Sequence, residues 1–248
     1  MSKISIIIPI YNEAKQLKSF CDRLFSMEFP FDHEFVMVDD GSTDGSWDIL
    51  QEFEGRAELR VFRQPKNMGK GAALQKGFEL ATGDIIGIQD ADFEYHPKDL
   101  IRLCQIIERD EADVVYGSRF KQLSPMVHRT WHYMGNRFLT FLSNVFSGMY
   151  LTDMETCYKV FKSDLIKGLS LECMRFGFEP EITAKISRLN IRIQEHSVSY
   201  HPRNWASGKK IGWKDGVAAI WFILKFNLLD RVNTGSDFAK SVPEKYHR

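Results

Sequence analysis

Aliphatic, β-branched runs alternate along the first half of the chain with segments whose apolar residues recur every three or four positions. The run from Ile4 to Ile10 (ISIIIPI) is nearly continuous, as expected of a strand buried on both faces of a parallel sheet. After it, Leu17, Phe20, Cys21, Leu24 and Phe25 fall at helical spacing. His33 to Asp40 predicts a second strand ending in two carboxylates. Ser42, Thr43 and Asp44 are candidate N-caps for a helix carrying Trp47, Ile49, Leu50 and Phe53. Leu59 to Gln64, Asp84 to Ile88 and Asp113 to Ser118 predict three further strands. Between them lie a Gly-rich turn with a helix ending near Gly83, and a helix with Pro97 in its first turn. This alternation predicts an α/β fold with a mostly parallel, doubly wound sheet.

The second half reads differently. Val114 to Thr152 contains no Asp or Glu but carries Arg119, Lys121, Arg129 and Arg137, with His128 and His132. Trp131, Met134, Phe138, Phe141, Leu142, Val145 and Phe146 lie on a predicted helix over 131–149. Such a stripe is the usual mark of core packing, and an apolar, cationic helix also suits an anionic lipid surface. A short strand at Cys157 to Phe161, a helix from FEPE onward (178–181) and a strand from Ile191 follow. The loop at 201–216 concentrates Arg203, Lys209, Lys210 and Lys214 with Trp205, Trp213, Gly208 and Gly212, as a mobile loop over an anionic ligand would. A final apolar helix over 216–231 precedes a polar stretch at 233–248 expected to be a frayed tail.

Composition narrows the class. The 248 residues suit one α/β domain, read as 1–232, with a first half to 118 facing a nucleotide and a second half, 119–232, facing an acceptor. Lys plus Arg equals Asp plus Glu at 33 each, so no overall field favours nucleic acid. Cys21, Cys104, Cys157 and Cys173 form no paired spacing, which predicts a reducing, cytoplasmic setting. No signal peptide is expected, and the apolar run Val217 to Leu229 is shorter than the roughly 20 residues a bilayer span needs.

The candidate chemistry lies at strand ends. Asp90 and Asp92, spaced by Ala91, follow the strand Asp84 to Ile88, and Glu94 offers a third oxygen. Such a set suits hard Mg²⁺ or Mn²⁺. Glu13 follows the first strand, and Asp39 and Asp40 end the second. In open α/β sheets ligands bind beyond these carboxyl ends.

Five segments, PIYNE (9–13), VDDGSTDGS (38–46), PKNMGKGAAL (65–74), DADFEYHP (90–97) and GSRF (117–120), resemble glycosyltransferase family two in order and spacing. The chain is most similar to the branch of dolichyl-phosphate mannose synthases and bacterial polyprenyl-phosphate glycosyltransferases, over about residues 4–229. The resemblance implies a GT-A fold, a Rossmann-like sheet flanked by helices, with amphipathic helices toward the C-terminus. It implies a metal-dependent, inverting transfer from a GDP- or UDP-linked sugar to a polyprenyl phosphate, at the cytoplasmic membrane face. Pro9, Tyr11 and Glu13 would line the nucleoside pocket, with Asp39 on the base and Asp40 facing the nucleotide. Asp90, Asp92 and Glu94 would hold Mg²⁺ or Mn²⁺ against the diphosphate, with Ala91 beside them and Asp92 counted as catalytic. Lys66 and Asn67 are further donor-site candidates, with Gly69 and Gly71 allowing close backbone approach. Arg119 and Arg203 resemble the phosphate-binding arginines of the family and, with Arg129 and Arg137, would receive the acceptor phosphate.

The sequence departs from that branch in carrying Glu94 where Gln is common. It also has DMETCYKVF (153–161) in place of a Ser-Gly-Phe-Arg type segment, and the transmembrane hairpins of some relatives are not expected in it. A sugar-hydroxyl acceptor would instead need a base, for which Asp153, Glu179 and Glu181 are candidates. A non-catalytic nucleotide-sugar-binding protein is the alternative from another class. No G-x-G-x-x-G follows the first strand, which argues against a dehydrogenase.

Overall fold

The computed structural model describes residues 2–121, 130–175, 177–201, 213–230 and 241–247. Arg129, Arg203 and the candidate mobile loop over 202–212 lie outside the described residues, and the end expected as loop, from Trp213, is helical. Seven strands form one sheet: β1 (Ile4–Ile10), β2 (His33–Asp39), β3 (Leu59–Arg63), β4 (Ile85–Ile88), β5 (Val114–Ser118), β6 (Lys159–Lys162) and β7 (Ile193–Ser197), in the order β3-β2-β1-β4-β6-β5-β7. Only β6 among these runs antiparallel to its neighbours. The mostly parallel, doubly wound sheet expected from the pattern is present. β6 and β7, from the second half of the chain, pair with β4 and β5 from the first.

Why the strands form is visible in their burial. β1, β2 and β4 have residues such as Ile7, Val36 and Ile86 entirely out of solvent, because helices cover both faces of the sheet. These helices are α1 (Ala14–Phe25), α2 (Ser46–Gln51), α3 (Lys70–Leu80), α4 (Pro97–Glu108), α5 (Thr130–Ser147), α6 (Ser163–Gly168), α7 (Phe178–Ile186) and α8 (Trp213–Leu224). Pro97 opens α4 as expected, and His96 accepts the Lys98 N–H at 3.2 Å. None of Ser42, Thr43 or Asp44 caps α2; its N-cap is Gly45, in a left-handed conformation. Asp44 reaches back instead, accepting the Ala14 N–H at the start of α1 and the Ser46 N–H, each at 3.0 Å.

The C-terminal stretch corrects a second expectation. Polar composition predicts fraying, but Val242 and Tyr246 join the hydrophobic core. The Asn190 N–H donates to Tyr246 O at 2.8 Å, and Tyr246 donates to Asp164 at 3.1 Å. These two apolar anchors seat residues 241–247.

Glu34 fixes the lower end of β1 and β2. Its carboxylate accepts from Ser5 Oγ (2.6 Å), Thr82 N (2.6 Å), Thr82 Oγ1 (2.9 Å) and Lys3 Nζ (3.2 Å). Burial pushes this carboxyl up, and the hydrogen bonds from Ser5, Thr82 and Lys3 outweigh it, holding it down at about 2. A depressed carboxyl adds stability above its unfolded value, and that stability is lost as pH falls toward 2. Glu34→Gln is therefore expected to cost roughly 1–3 kcal/mol at pH 7, with a smaller deficit at pH 3. Denaturant unfolding at the two pH values checks this, and an equal deficit at both would refute it.

Candidate active site

Parallel pairing sets the site. Ile10 lies opposite Asp39, and Ile7 opposite Ile88. The chain therefore leaves β1, β2 and β4 at one edge, bringing Tyr11, Glu13, Asp39, Asp40, Asp90 and Asp92 to a common rim. The predicted convergence of three acidic clusters is what the register produces.

The acidic residues at this rim have distinct partners. Asp40 accepts the Met68 N–H at 2.7 Å on one oxygen and the Gly69 N–H at 2.8 Å on the other. This carboxylate, expected to face the nucleotide, holds the turn before α3 through these two bonds. Asp39 accepts the Ser42 N–H on Oδ2 at 3.2 Å, while its Oδ1 is buried without a hydrogen-bond partner. An orphaned buried oxygen costs on the order of 1–3 kcal/mol. Gly69 and Gly71 do permit close backbone approach, but to the chain itself. A Cβ at Gly69 would lie 2.4 Å from Met174 O, and one at Gly71 would lie 2.0 Å from Cys173 O.

That approach places α3 against the segment leading to α7. Lys70, the first residue of α3, points its ammonium at Asp90 Oδ1 (3.1 Å) and Glu179 Oε1 (3.4 Å). Burial pulls the Lys70 ammonium down, yet the Asp90, Cys157 and Glu179 groups around it hold its pKa well above the usual range. Lys70 escaped the sequence reading because nothing local distinguishes it from a solvated helix lysine. Its flanking glycines were the available signal.

Asp92 is buried, and its Oδ1 accepts the Glu94 N–H at 3.0 Å. Glu94, expected as a third metal oxygen, accepts from the Tyr200 hydroxyl at 2.9 Å, and its carbonyl accepts the His201 N–H at 2.7 Å. Among the described residues no three acidic, His or Cys side chains converge on one point. Mg²⁺ sites are commonly built from one or two carboxylates plus substrate phosphate and water, so Asp90 and Asp92 fit a hard divalent ion. The Lys70 ammonium beside Asp90 marks the same carboxylate as cation-seeking.

Arg119, just after β5, and Asp153 form a two-pronged pair, Nε to Oδ2 and Nη2 to Oδ1, both at 2.7 Å. The Arg119 N–H adds a third bond to Asp153 at 3.0 Å. Arg119 lies over the Tyr200 ring, 5.3 Å from its centroid. Arg137 donates to Thr152 O at 3.1 Å, so the two described arginines flank one segment. Glu195 holds that segment from below, accepting from Thr152 N (2.8 Å) and Asp153 N (3.0 Å).

The three base candidates are all engaged. Asp153 serves Arg119 and Glu179 serves Lys70. Glu181, fully buried, accepts the Glu172 and Cys173 N–H groups at 2.7 Å and Lys185 at 2.5 Å. Glu155 was not foreseen. Burial pushes its carboxyl up, as does the charge of Glu179, against the pull of Lys159 and Arg119, to about 7. Its Oε1 is buried without a partner.

The mostly parallel sheet thus carries acidic strand ends, a lysine-bridged carboxylate and an arginine paired with Asp153. Residues 5–169 match the family model "Glycosyl transferase family 2", and the chain belongs to that family. It is 28% identical over 211 residues to a dodecaprenyl-phosphate galacturonate synthase of Rhizobium johnstonii, covering 84% of this chain and 61% of that protein. It is 34% identical over 118 residues to a dolichol-phosphate mannosyltransferase of Pyrococcus furiosus, 48% of this chain and 33% of that one. With a UDP-N-acetylglucosamine–dolichyl-phosphate N-acetylglucosaminyltransferase of Methanococcus voltae it shares 30% identity over 214 residues, 76% of this chain and 82% of that one. The chain thus spans under two thirds of the first two relatives. In fold it is similar to glucosyl-3-phosphoglycerate synthase from Mycobacterium tuberculosis, solved with Mn²⁺, UDP and glucosyl-3-phosphoglycerate. The TM-score is 0.70 at 18% identity, over 93% of this chain and 80% of that one.

A raised carboxyl favours the folded state only while protonated, so Glu155 lowers stability as pH rises from its unfolded value of about 4.5 through about 7. Glu155→Gln is expected to match the parent protein in thermal stability near pH 4.5 and to exceed it at pH 8. A difference that does not change with pH would refute the assignment.

Proposed function

We propose that the protein transfers a sugar from a nucleoside diphosphate to a polyprenyl phosphate at a membrane surface. The observation that carries this reading is the pairing of a donor rim at β1, β2 and β4 with a basic wall built on Arg119 and Arg137. The three named relatives act on polyprenyl phosphates, and the acidic candidates for a hydroxyl-activating base are all committed to other partners.

In this reading Pro9, Tyr11 and Glu13 line the nucleoside pocket with Asp39 at the base. Asp90 and Asp92 hold a divalent ion, Mg²⁺ or Mn²⁺, which when bound neutralises charge gathering on the leaving diphosphate. Lys70 places a second positive charge at the same carboxylate. The acceptor phosphate is anionic at neutral pH and needs no base. Its oxygen forms the new bond to the anomeric carbon as the bond to the diphosphate breaks, and the electron pair departs with the nucleoside diphosphate. In-line attack inverts that carbon. Arg119 and Arg137 position the acceptor by charge and planar N–H donors. Because Asp153 offsets Arg119, Arg129 and Arg203 are proposed to complete the phosphate site.

Lipid access would use α5 and α8, which pack side by side. Leu139, Leu142 and Phe146 face the core, while Met134, Phe138, Phe141 and Val145 form an exposed stripe on α5, with Phe141 63% exposed. Val217 and Trp221 of α8, and Leu228 in the π-helical turn Lys225–Leu229, are also exposed. No described helix is long and apolar enough to cross a membrane. An apolar stripe next to arginines suits the headgroup boundary of a bilayer.

One observation favours a second reading. A carboxyl titrating near 7, as Glu155 does, suits a general base for a sugar-hydroxyl acceptor.

Incubation with a nucleotide sugar, Mn²⁺ and polyprenyl phosphate is expected to yield lipid-linked sugar phosphate, with Glu155→Gln retaining most of the rate. Transfer only to hydroxyl acceptors, lost in Glu155→Gln, would favour the second reading. Asp92→Ala is expected to abolish the metal-dependent part of the thermal stabilisation by nucleotide sugar; an undiminished shift would remove Asp92 from the metal site. Phe138→Glu with Phe141→Glu is expected to lower sedimentation with anionic vesicles at least tenfold while transfer to a short, soluble polyprenyl phosphate persists. Unchanged sedimentation would reject the α5 stripe.

A further inference from the structure

Asp90 faces a single ammonium with both of its oxygens. Lys70 Nζ lies 3.1 Å from Oδ1 and 3.4 Å from Oδ2. The same nitrogen lies 3.4 Å from Glu179 Oε1. One cation thus stands between two carboxylates carried by different parts of the chain. Its backbone is held in place. Lys70 is the first residue of α3, Gly69 and Gly71 on either side lie against the 173–175 segment, and the Ala72 N–H donates to Met174 O at 2.9 Å. The stem beyond that fixed backbone is flexible and carries a compact point charge, so the ammonium has two seats within one reach. The side chains of Lys70 and Asp90 are 23% and 24% exposed, and that of Glu179 10%, so water screens these charges only in part.

We propose that Lys70 competes with the divalent ion for Asp90, and so makes uptake of the ion depend on the nucleoside diphosphate. The inference rests on the reading that Asp90 and Asp92 hold such an ion, and it goes further by giving Lys70 control of the affinity. The two aspartates bring two negative charges to the rim, and Lys70 already offsets part of that charge. A bare divalent ion is therefore weakly attracted and meets an ammonium at the same carboxylate. Near a protein surface that repulsion is about fourfold stronger than in bulk water. A diphosphate brings negative charge of its own, which offsets ion and ammonium together. Asp90 can then serve the ion while the Lys70 ammonium leans toward Glu179. Because Glu179 is already within 3.4 Å, the exchange leaves neither the ammonium nor that carboxylate unpaired. Ion and nucleotide are thereby taken up together, and an ion without nucleotide is held weakly.

Mn²⁺ binding by the full chain, read from the free-ion signal in electron paramagnetic resonance, tests this without any turnover. Titrations are run alone, with UDP and with GDP, and corrected for Mn²⁺ held by free nucleotide. The parent protein is expected to bind Mn²⁺ at least about tenfold more tightly with one of the nucleotides than alone. Lys70→Met keeps the stem without the charge. It is expected to tighten binding of Mn²⁺ alone by at least about tenfold and to shrink the gain from nucleotide to about threefold or less. Lys70→Arg, which keeps the charge, is expected to hold bare Mn²⁺ as weakly as the parent. Glu179→Gln removes the second seat, and it is expected to weaken Mn²⁺ binding with nucleotide in the parent but not in the Lys70→Met background. Equal weakening in both backgrounds would reduce Glu179 to a plain charge and reject the exchange. Should Lys70→Met not fold, the double variant with Glu179→Gln removes the pair together and carries the same expectation for bare Mn²⁺. Unchanged affinity for bare Mn²⁺ in the folded variant would overturn the competition and leave the metal reading standing. No Mn²⁺ bound by the folded parent with either nucleotide would overturn both.

Discussion

The Lys70 ammonium, 3.1 Å from Asp90 and 3.4 Å from Glu179, joins the two parts of this molecule. Asp90 belongs to the rim at the end of β4, and Glu179 to the first turn of α7, in the part of the chain that carries the arginines. Lys70 reaches both because Gly69 and Gly71 leave no side chain between α3 and the 173–174 backbone, and the Ala72 N–H donates to Met174 O at 2.9 Å across that contact. These side chains are partly buried, and the shared ammonium draws the two carboxylates together. It thereby fixes where the basic wall stands relative to the donor rim.

The same economy runs through the crevice. Arg119 is matched by Asp153 and Glu181 by Lys185, while Asp40 is spent on two backbone N–H groups. Against this background the oxygens of Asp39 and Glu155 that lack partners stand out. The first lies where a base is expected. The second feels the charges of Glu179, Lys159, Arg119 and Asp153.

Much of this was legible in the sequence, for physical reasons. Parallel strands buried on both faces need continuous apolar runs, so β1, β2 and β4 announce themselves, and their carboxyl ends follow. The roles of the carboxylates were less legible, because they depend on contacts far apart in the chain. Asp40 with Met68, Glu94 with Tyr200 and Asp153 with Arg119 are each 28 residues or more apart. Lys70 and Glu155 were missed for the same reason. The aromatic stripe of α5 turned out to be two faces at once: the spacing of Leu139, Leu142 and Phe146 packs on the core, and that of Met134, Phe138 and Phe141 does not. Helical periodicity shows that a face is apolar without saying what covers it. The tail fails the other way, since average polarity hid Val242 and Tyr246.

The central claim is that the rim at β1, β2 and β4 holds the donor diphosphate through a metal. A crystal grown with Mn²⁺ and a nucleoside diphosphate, measured at the manganese absorption edge, tests it most directly. One strong anomalous peak is expected in coordination contact with the Asp90 and Asp92 carboxylates and with the diphosphate, the base lying toward Asp39. A metal and diphosphate bound elsewhere, with the Asp90 and Asp92 carboxylates untouched, would contradict it.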